Sequence, residues 1–310
     1  MTDAAPLVEL ERLTRRFGDL VAVDALTFSV ARGELFGLVG PDGAGKTTTL
    51  RMLAGVLRPS DGDARLAGTS VRRDPERVKH AIAYMSQRFG LYTDLTVAEN
   101  LEFYADLYRV PRADRAGRLE RLYHFSALEA FKDRLAGQLS GGMKQKLALS
   151  CCLVHEPEIL LLDEPTFGVD PISRRDLWLI VHEMVAHGTT VIVSTAYLDE
   201  AERFDRLALL HHGRTLAVDT ADALQAALPS AILSVPVADV RAARAIAEAT
   251  PGVRRAAVFG DRLHLTVDDE ATAGPRVAAA LRAAGHEPGE IRRIVPSLED
   301  VFIERIAEAR

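Results

Sequence analysis

With 310 residues, of which 48% are hydrophobic and 26% charged, the chain is long enough for one large or two modest domains with a buried core, which excludes disordered and fibrous classes. Its net charge of −6 argues against a general nucleic-acid binder. Cys151 and Cys152 are adjacent in a helical pattern, so no disulfide framework is expected and a reducing cytoplasm fits; MTDAAPLVELE has no basic n-region or apolar core of signal length and no run of about 18 apolar residues occurs, so neither export by a signal peptide nor a membrane span is expected.

The first elements alternate as short strands, VELERL from Val8 and VAVDALTFSV to Val30, and predict an antiparallel start. ELFGLVG (34–40) is a compact apolar strand that runs into a glycine-rich turn and then the helical KTTTLRMLAGVL. A strand is expected near 81–85. A helical section follows, clearest at 96–108, where Thr96 as N-cap and Glu99 complete a capping box. Strand EILLLDE (158–164), helix 172–188 and strand TVIVST (190–195) restore a parallel-sheet pattern, and 207–218 reads as a hairpin turning at His212 and Gly213. After Pro229 the order is strand, helix, strand, strand, helix, strand, then a helical tail, which suits a ferredoxin-like α+β domain.

Three motifs carry chemistry. GPDGAGKT (Gly40, Pro41, Asp42, Gly43, Ala44, Gly45, Lys46, Thr47) satisfies GxxxxGK[ST] between a strand and a helix; its amides and the helix N-terminus wrap phosphates, with Thr48 next in line. Lys46 neutralises the terminal oxygens and the Thr47 hydroxyl ligates Mg²⁺. ILLLDE ends in two carboxylates: Asp163 suits Mg²⁺ through its water shell, and Glu164 suits orienting and deprotonating an attacking water. LSGGMKQK opens a helix in which Ser140 and the amides of Gly141 and Gly142 either meet an anion or form a plain N-cap.

Loop, LSGGMKQK and carboxylate strand, in this order from Val8 to about Leu228, resemble the ATP-binding cassette (ABC) ATPases, whose signature LSGGMKQK is. The resemblance implies an α/β fold: a P-loop ABC ATPase core over 1–228, made of a RecA-like parallel sheet, an N-terminal antiparallel β subdomain and an inserted helical subdomain at about 88–155, with the ferredoxin-like domain over 229–310. It implies ATP and Mg²⁺ as ligands, Phe17 stacking on adenine with Val23 alongside, Gln87 touching Mg²⁺ and water, and Asp170 communicating across a dimer in which ATP lies between the phosphate loop of one cassette and the signature of another.

The departures from the family pattern are Asp42 in place of asparagine, Met143 in place of glutamine, and Ala196 where the family carries its switch-loop histidine. The stretches GPDGAGKTT, VDPISRRDLW, STAYLDEAE and PSLEDVFIE look like ATPases of ABC-2 type exporters, particularly the first half of tandem two-cassette versions. That implies a cytoplasmic, peripheral ATPase working with ABC-2 type membrane permease subunits and a second cassette, more readily a different chain than a second copy, and no nucleic acid. Phe89 and Leu91 are expected on the docking surface. A non-transport cassette ATPase is opposed by the short spacing of about ninety residues between phosphate loop and signature and by the lack of heptads.

Overall fold

The computed structural model describes residues 5–88, 90–228 and 230–308. Phe89 and Pro229 therefore lie outside the described residues. The chain divides into two compact units between Asp219 and Thr220. The change of sequence pattern falls later, at residue 229.

The first unit begins with β1 (Val8–Phe17) and β2 (Leu20–Val30), an antiparallel pair with bulges near Arg12 and Ala25, both at positive φ. β3 (Leu35–Val39) follows, buried at every residue. Helix α1 (Lys46–Leu53) starts from Gly45 and stops at Leu53 rather than continuing to Leu57, because Gly55 turns left-handed at φ 66° and the amides of Gly55 and Val56 close back on Met52 and Arg51. β4 (Asp61–Leu66), β5 (Thr69–Ser70) and helix α2 (Pro75–Ala81) come next, none of them marked by a strong sequence pattern, and then β6 (Ile82–Met85).

The helical section consists of α3 (Val97–Leu107), α4 (Arg112–Ser126) and α5 (Gly141–Leu153), with α5 packed on both others. The capping box of α3 is present, Thr96 Oγ1 accepting from the Glu99 amide at 3.1 Å and Glu99 accepting from the Thr96 amide at 2.7 Å. Cys151 and Cys152 are buried in α5, and burial raises both thiols.

β7 (Ile159–Asp163), α6 (Pro171–Ala186), β8 (Thr190–Thr195), β9 (Arg206–His211) and β10 (Arg214–Asp219) complete the unit. The larger sheet runs β10-β9-β3-β8-β7-β6, parallel from β9 to β6, while β2-β1-β4-β5 forms the antiparallel sheet. β3, β7 and β8 are buried throughout, which is why they read as unbroken apolar runs. A single core joins the two sheets around α1, with Phe28 stacked on Phe36 at 5.1 Å.

The second unit opens with α7 (Ala221–Ala226). It continues through β11 (Ala231–Pro236), α8 (Val240–Glu248), β12 (Val253–Phe259), β13 (Arg262–Val267), α9 (Glu270–Ala283), β14 (Arg292–Ile294) and α10 (Leu298–Glu308). Its sheet order β12-β13-β11-β14, antiparallel at every pairing, is the ferredoxin-like arrangement. α8 and α9 supply one side of a core that includes Val235, Ala247, Leu265 and Val277. α10 is pinned to β13 by His264 and Asp300, 3.1 Å apart, and Asp300 also accepts from the Ser297 hydroxyl at 2.7 Å.

The packing around β3 leaves little room. A Cβ on Gly37 would lie 2.1 Å from the Phe204 ring. Gly37→Ala is therefore expected to destabilise the first unit by about 1–3 kcal/mol through overpacking, read as a lower midpoint in chemical unfolding.

Candidate functional site

The sheet topology places three functional segments at one edge. β3 ends in the phosphate loop, β7 ends at Asp163, and β6 runs toward Gln87, all three strands being parallel. Such strand ends are where open α/β sheets build their sites. A cavity of about 600 Å³ opens there, lined by Phe17, Leu20, Val21 and Ala22, the loop and helix residues Asp42 to Thr48, and Gln87, Glu164 and His212.

Lys46 is almost fully buried at the base of this cavity. Its ammonium donates to the carbonyls of Gly40 at 2.7 Å and Pro41 at 3.1 Å, and it faces Glu164 Oε1 at 3.4 Å. Gly45 bends the loop at φ 97°; a Cβ there would come within 2.6 Å of the Ala22 carbonyl oxygen. The loop is thus held against β2 at a distance only glycine allows. Gly40 is under a second constraint, since its Cβ would meet the Leu210 carbonyl oxygen at 2.2 Å.

Asp163 lies just beneath the cavity and is fully buried. It accepts from Thr47 Oγ1 at 2.9 Å, Ser194 Oγ at 2.7 Å and the Tyr84 hydroxyl at 3.2 Å. Burial, together with the Asp163 charge, pushes the Tyr84 phenol up to about 12, so it stays a donor across the neutral range. Sequence reasoning missed Tyr84 and Ser194 as supports, because they come from two other strands and only the sheet register puts them beside Asp163.

Glu164 sits in the left-handed region at φ 49°, an uncommon place for a glutamate. Its amide is held there by the Ser194 carbonyl and hydroxyl, both at 3.1 Å, and its Oε2 accepts from Gln87 Nε2 at 2.9 Å. Glu164 thereby faces a buried cation and a neutral donor at once.

The remaining expected residues fall in two groups. Val23, expected beside Phe17, is fully buried in the core against the loop, where its Cγ2 would lie 3.3 Å from a Cβ on Gly45, and the cavity wall on this side is formed by Leu20, Val21 and Ala22. Ser140, Gly141, Gly142 and Asp170 lie outside the cavity. Ser140 caps α5, its hydroxyl accepting from the Met143 amide at 3.3 Å, and Asp170 caps α6, accepting from the amides of Ile172 and Ser173 at 3.1 and 3.0 Å. These two caps are neighbours, since a Cβ on Gly142 would lie 2.1 Å from Ser173 Oγ and 3.4 Å from Asp170 Oδ2.

Ala196 follows β8 and is exposed, outside the cavity wall. The turn beside it is closed locally: Thr195 Oγ1 donates to buried Glu200 at 2.8 Å and accepts from the Tyr197 amide at 3.0 Å. Trp178 Nε1 also reaches Glu200, at 3.4 Å.

A buried ammonium, a glycine-bent loop at a helix N-terminus and two carboxylates suit a polyphosphate. Among the described residues no cluster of three His, Cys, Asp or Glu is placed to hold a metal by itself. Thr47, Asp163 and Gln87 offer oxygen donors of the kind that fit a hard cation such as Mg²⁺.

The comparisons with known proteins agree with this geometry. A model described as ABC transporter matches residues 23–167, and one described as ATP-binding protein DrrA1-3-like, C-terminal domain, matches residues 221–306. The daunorubicin resistance ATP-binding protein DrrA2 of Streptomyces coeruleorubidus is 36% identical over 96% of this chain and 94% of its own length. The chain belongs to the ABC transporter ATP-binding family.

The probable multidrug ABC transporter ATP-binding protein YbhF of Escherichia coli is 42% identical over 100% of this chain, which spans 53% of that protein, so the chain covers about half the length of this curated relative. The solved structure of an ATP-binding subunit of an ABC transporter is 32% identical, covers 71% of this chain and 92% of its own, and aligns with a TM-score of 0.65. An ATP-binding cassette in a dimeric post-hydrolysis state with ADP and Pi is 25% identical over 69% of this chain and 98% of its own, with a TM-score of 0.62. Both of these structures match the cassette fold.

Within this ABC cassette, Gly45→Ala is expected to weaken ATP binding by about 10-fold or more, because the loop must withdraw from the Ala22 carbonyl and its amides lose their common focus. Isothermal titration with ATP checks this.

Proposed function

We propose that this chain is the ATP-binding and ATP-hydrolysing subunit of an ABC-2 type exporter, peripheral on the cytoplasmic face of the membrane, and that it couples cassette dimerisation to efflux through separate permease subunits. The observation that carries the reading is the cavity around Lys46: phosphate-binding loop, Glu164 and Gln87 converge there, while the signature residues Ser140, Gly141 and Gly142 stay outside it. Such a half-site is completed when the signature of a second cassette closes over it. The names of the relatives, a multidrug transporter component and a daunorubicin resistance protein, support export as the task.

In this reading Lys46 and the loop amides bind the β- and γ-phosphates, and Phe17, about half exposed at the cavity mouth, offers a face to the adenine. Bound Mg²⁺ would supply charge neutralisation at the bridging oxygens, with Thr47, Asp163 and Gln87 as its protein side. Glu164 orients the attacking water and takes up its proton, and Gln87 holds that carboxylate in place. Asp42, exposed on the same wall, adds negative charge at the mouth, where water screens it.

No helix among the described residues is long and apolar enough to cross a membrane, so the transport path is assigned to partners. An exposed patch of Tyr92, Phe103 and Leu107 beside the Gln87 loop is the surface assigned to them, with Tyr92 and Phe103 edge to face at 4.5 Å. Leu91 is half-buried and contributes less than expected. The partner cassette is assigned to a different chain, able to supply a histidine-bearing site.

Ala196 sets the rate. Loss of one polar group aimed at developing charge costs about 10²- to 10³-fold, so turnover is slow while ATP binding persists. A second reading, a regulatory half that binds ATP without turning it over, is favoured by Ala196 and opposed by the intact Glu164–Lys46–Gln87 arrangement. Three variants test this. Lys46→Ala is expected to weaken ATP binding at least about 10-fold, and unchanged affinity would remove the site assignment. Glu164→Gln is expected to lower hydrolysis by about 10²-fold or more with ATP affinity retained; no loss of activity in the complex would favour the regulatory reading. Ala196→His is expected to raise ATPase turnover by about 10-fold or more, and an unchanged or lower rate would mean that another group has taken over the role.

A further inference from the structure

His212 is on the wall of the cavity, although nothing in the sequence motifs assigns it a role there. It is the first of two residues in the β9–β10 turn: His211 pairs with Arg214, which leaves His212 at φ 47° and Gly213 at φ 78° as the two central positions. Both at positive φ, they form the tight hairpin for which Asn-Gly, Asp-Gly or Gly-Gly is the economical choice. An imidazole is tolerated at the first position, though glycine and asparagine fit it better.

The tip is also held rigidly. The Gly213 amide donates to the Ala44 carbonyl at 3.2 Å, the Asp24 amide donates to the Gly213 carbonyl at 2.8 Å, and Arg214 Nε meets Asp24 Oδ2 at 2.9 Å. The loop, β2 and the hairpin tip are thus mutually wedged, and the His212 ring, packed edge-on against His211 at 4.0 Å, is presented at a fixed position.

Sheet order decides which part of a ligand it meets. β9 and β10 lie on one side of β3, whereas β8, β7 and β6, with Asp163, Glu164 and Gln87 at or beyond their ends, lie on the other. The cavity has a hydrolytic flank and an apolar flank, and the hairpin tip joins Ala22 on the apolar one, where an added Gly213 Cβ would be 2.8 Å from the Ala22 carbonyl oxygen.

We infer that the His212 imidazole contacts the nucleoside portion of the bound nucleotide, on the side of the phosphate loop away from Glu164, and contributes to affinity without taking part in hydrolysis. This rests on the reading of the cavity as an ATP site. A planar ring with hydrogen-bonding nitrogens suits a base edge or a ribose hydroxyl, and Lys46, facing Glu164, is the group the proposed site offers to the terminal phosphate.

The test is isothermal titration of the full chain and of His212→Asn with ATP and with ADP. Asparagine is well suited to the left-handed turn position, so the melting temperature is expected to hold or rise. Expected is a loss of affinity of about 3- to 10-fold, the weight of one net polar contact, equal for ATP and ADP because both carry the same nucleoside. Unchanged affinity for both nucleotides overturns the assignment, and a loss confined to ATP overturns it by placing the ring on the terminal phosphate. A lowered melting temperature with the affinity loss also overturns it, as a structural effect of the turn. Lys46→Ala run in parallel separates the two levels: lost ATP binding there with intact binding in His212→Asn refutes only the histidine, whereas retained binding in Lys46→Ala refutes the ATP site as well.

Discussion

The Asp163 carboxylate is the point on which the site depends. It is fully buried at the end of β7, and it is satisfied by hydroxyls from the phosphate-loop helix, from β8 and from β6. A buried carboxylate without such donors is strongly disfavoured, so the three elements must sit in one register around it. That requirement aligns Thr47 with Asp163, brings Ser194 under the Glu164 amide, and so holds Glu164 in its left-handed conformation facing Lys46. Hydrogen bonding, backbone strain and charge placement at the site are in this sense one arrangement.

A second constraint is steric. Glycines at 40 and 45 let the loop press against the β9 end and β2, with added Cβ contacts of 2.2 and 2.6 Å ruling out any side chain. The same closeness brings the β9–β10 turn against Ala44 and makes His212 part of the cavity wall. The cavity is consequently two-sided, with Glu164 and the Gln87 amide on one flank of β3 and apolar residues with an imidazole on the other.

The LSGGMKQK segment has a local structural role. Ser140 and Asp170 each cap a helix, and the two caps pack on one another through Gly142 and Ser173. Of the two readings of LSGGMKQK, the N-cap is the arrangement present in this chain. Ala196 is different. The exposed turn after β8 is stabilised by Thr195, Tyr197 and Glu200 among themselves, so the fold there does not depend on the side chain at 196.

Much of this was legible in the amino-acid sequence. Local interactions determined the strand and helix order, the capping box at Thr96, the phosphate loop, the paired carboxylates, the ferredoxin-like order of the second unit and the turn at His212 and Gly213, because each is set by neighbours a few residues apart. Tertiary structure alone decided that Tyr84 and Ser194 hold Asp163, that Val23 turns into the core while Leu20 to Ala22 face the cavity, and that the hairpin tip forms part of the cavity wall. These depend on which strands lie side by side and in what register. A linear pattern of apolar and polar residues carries the period of a strand, but not the identity of its neighbour.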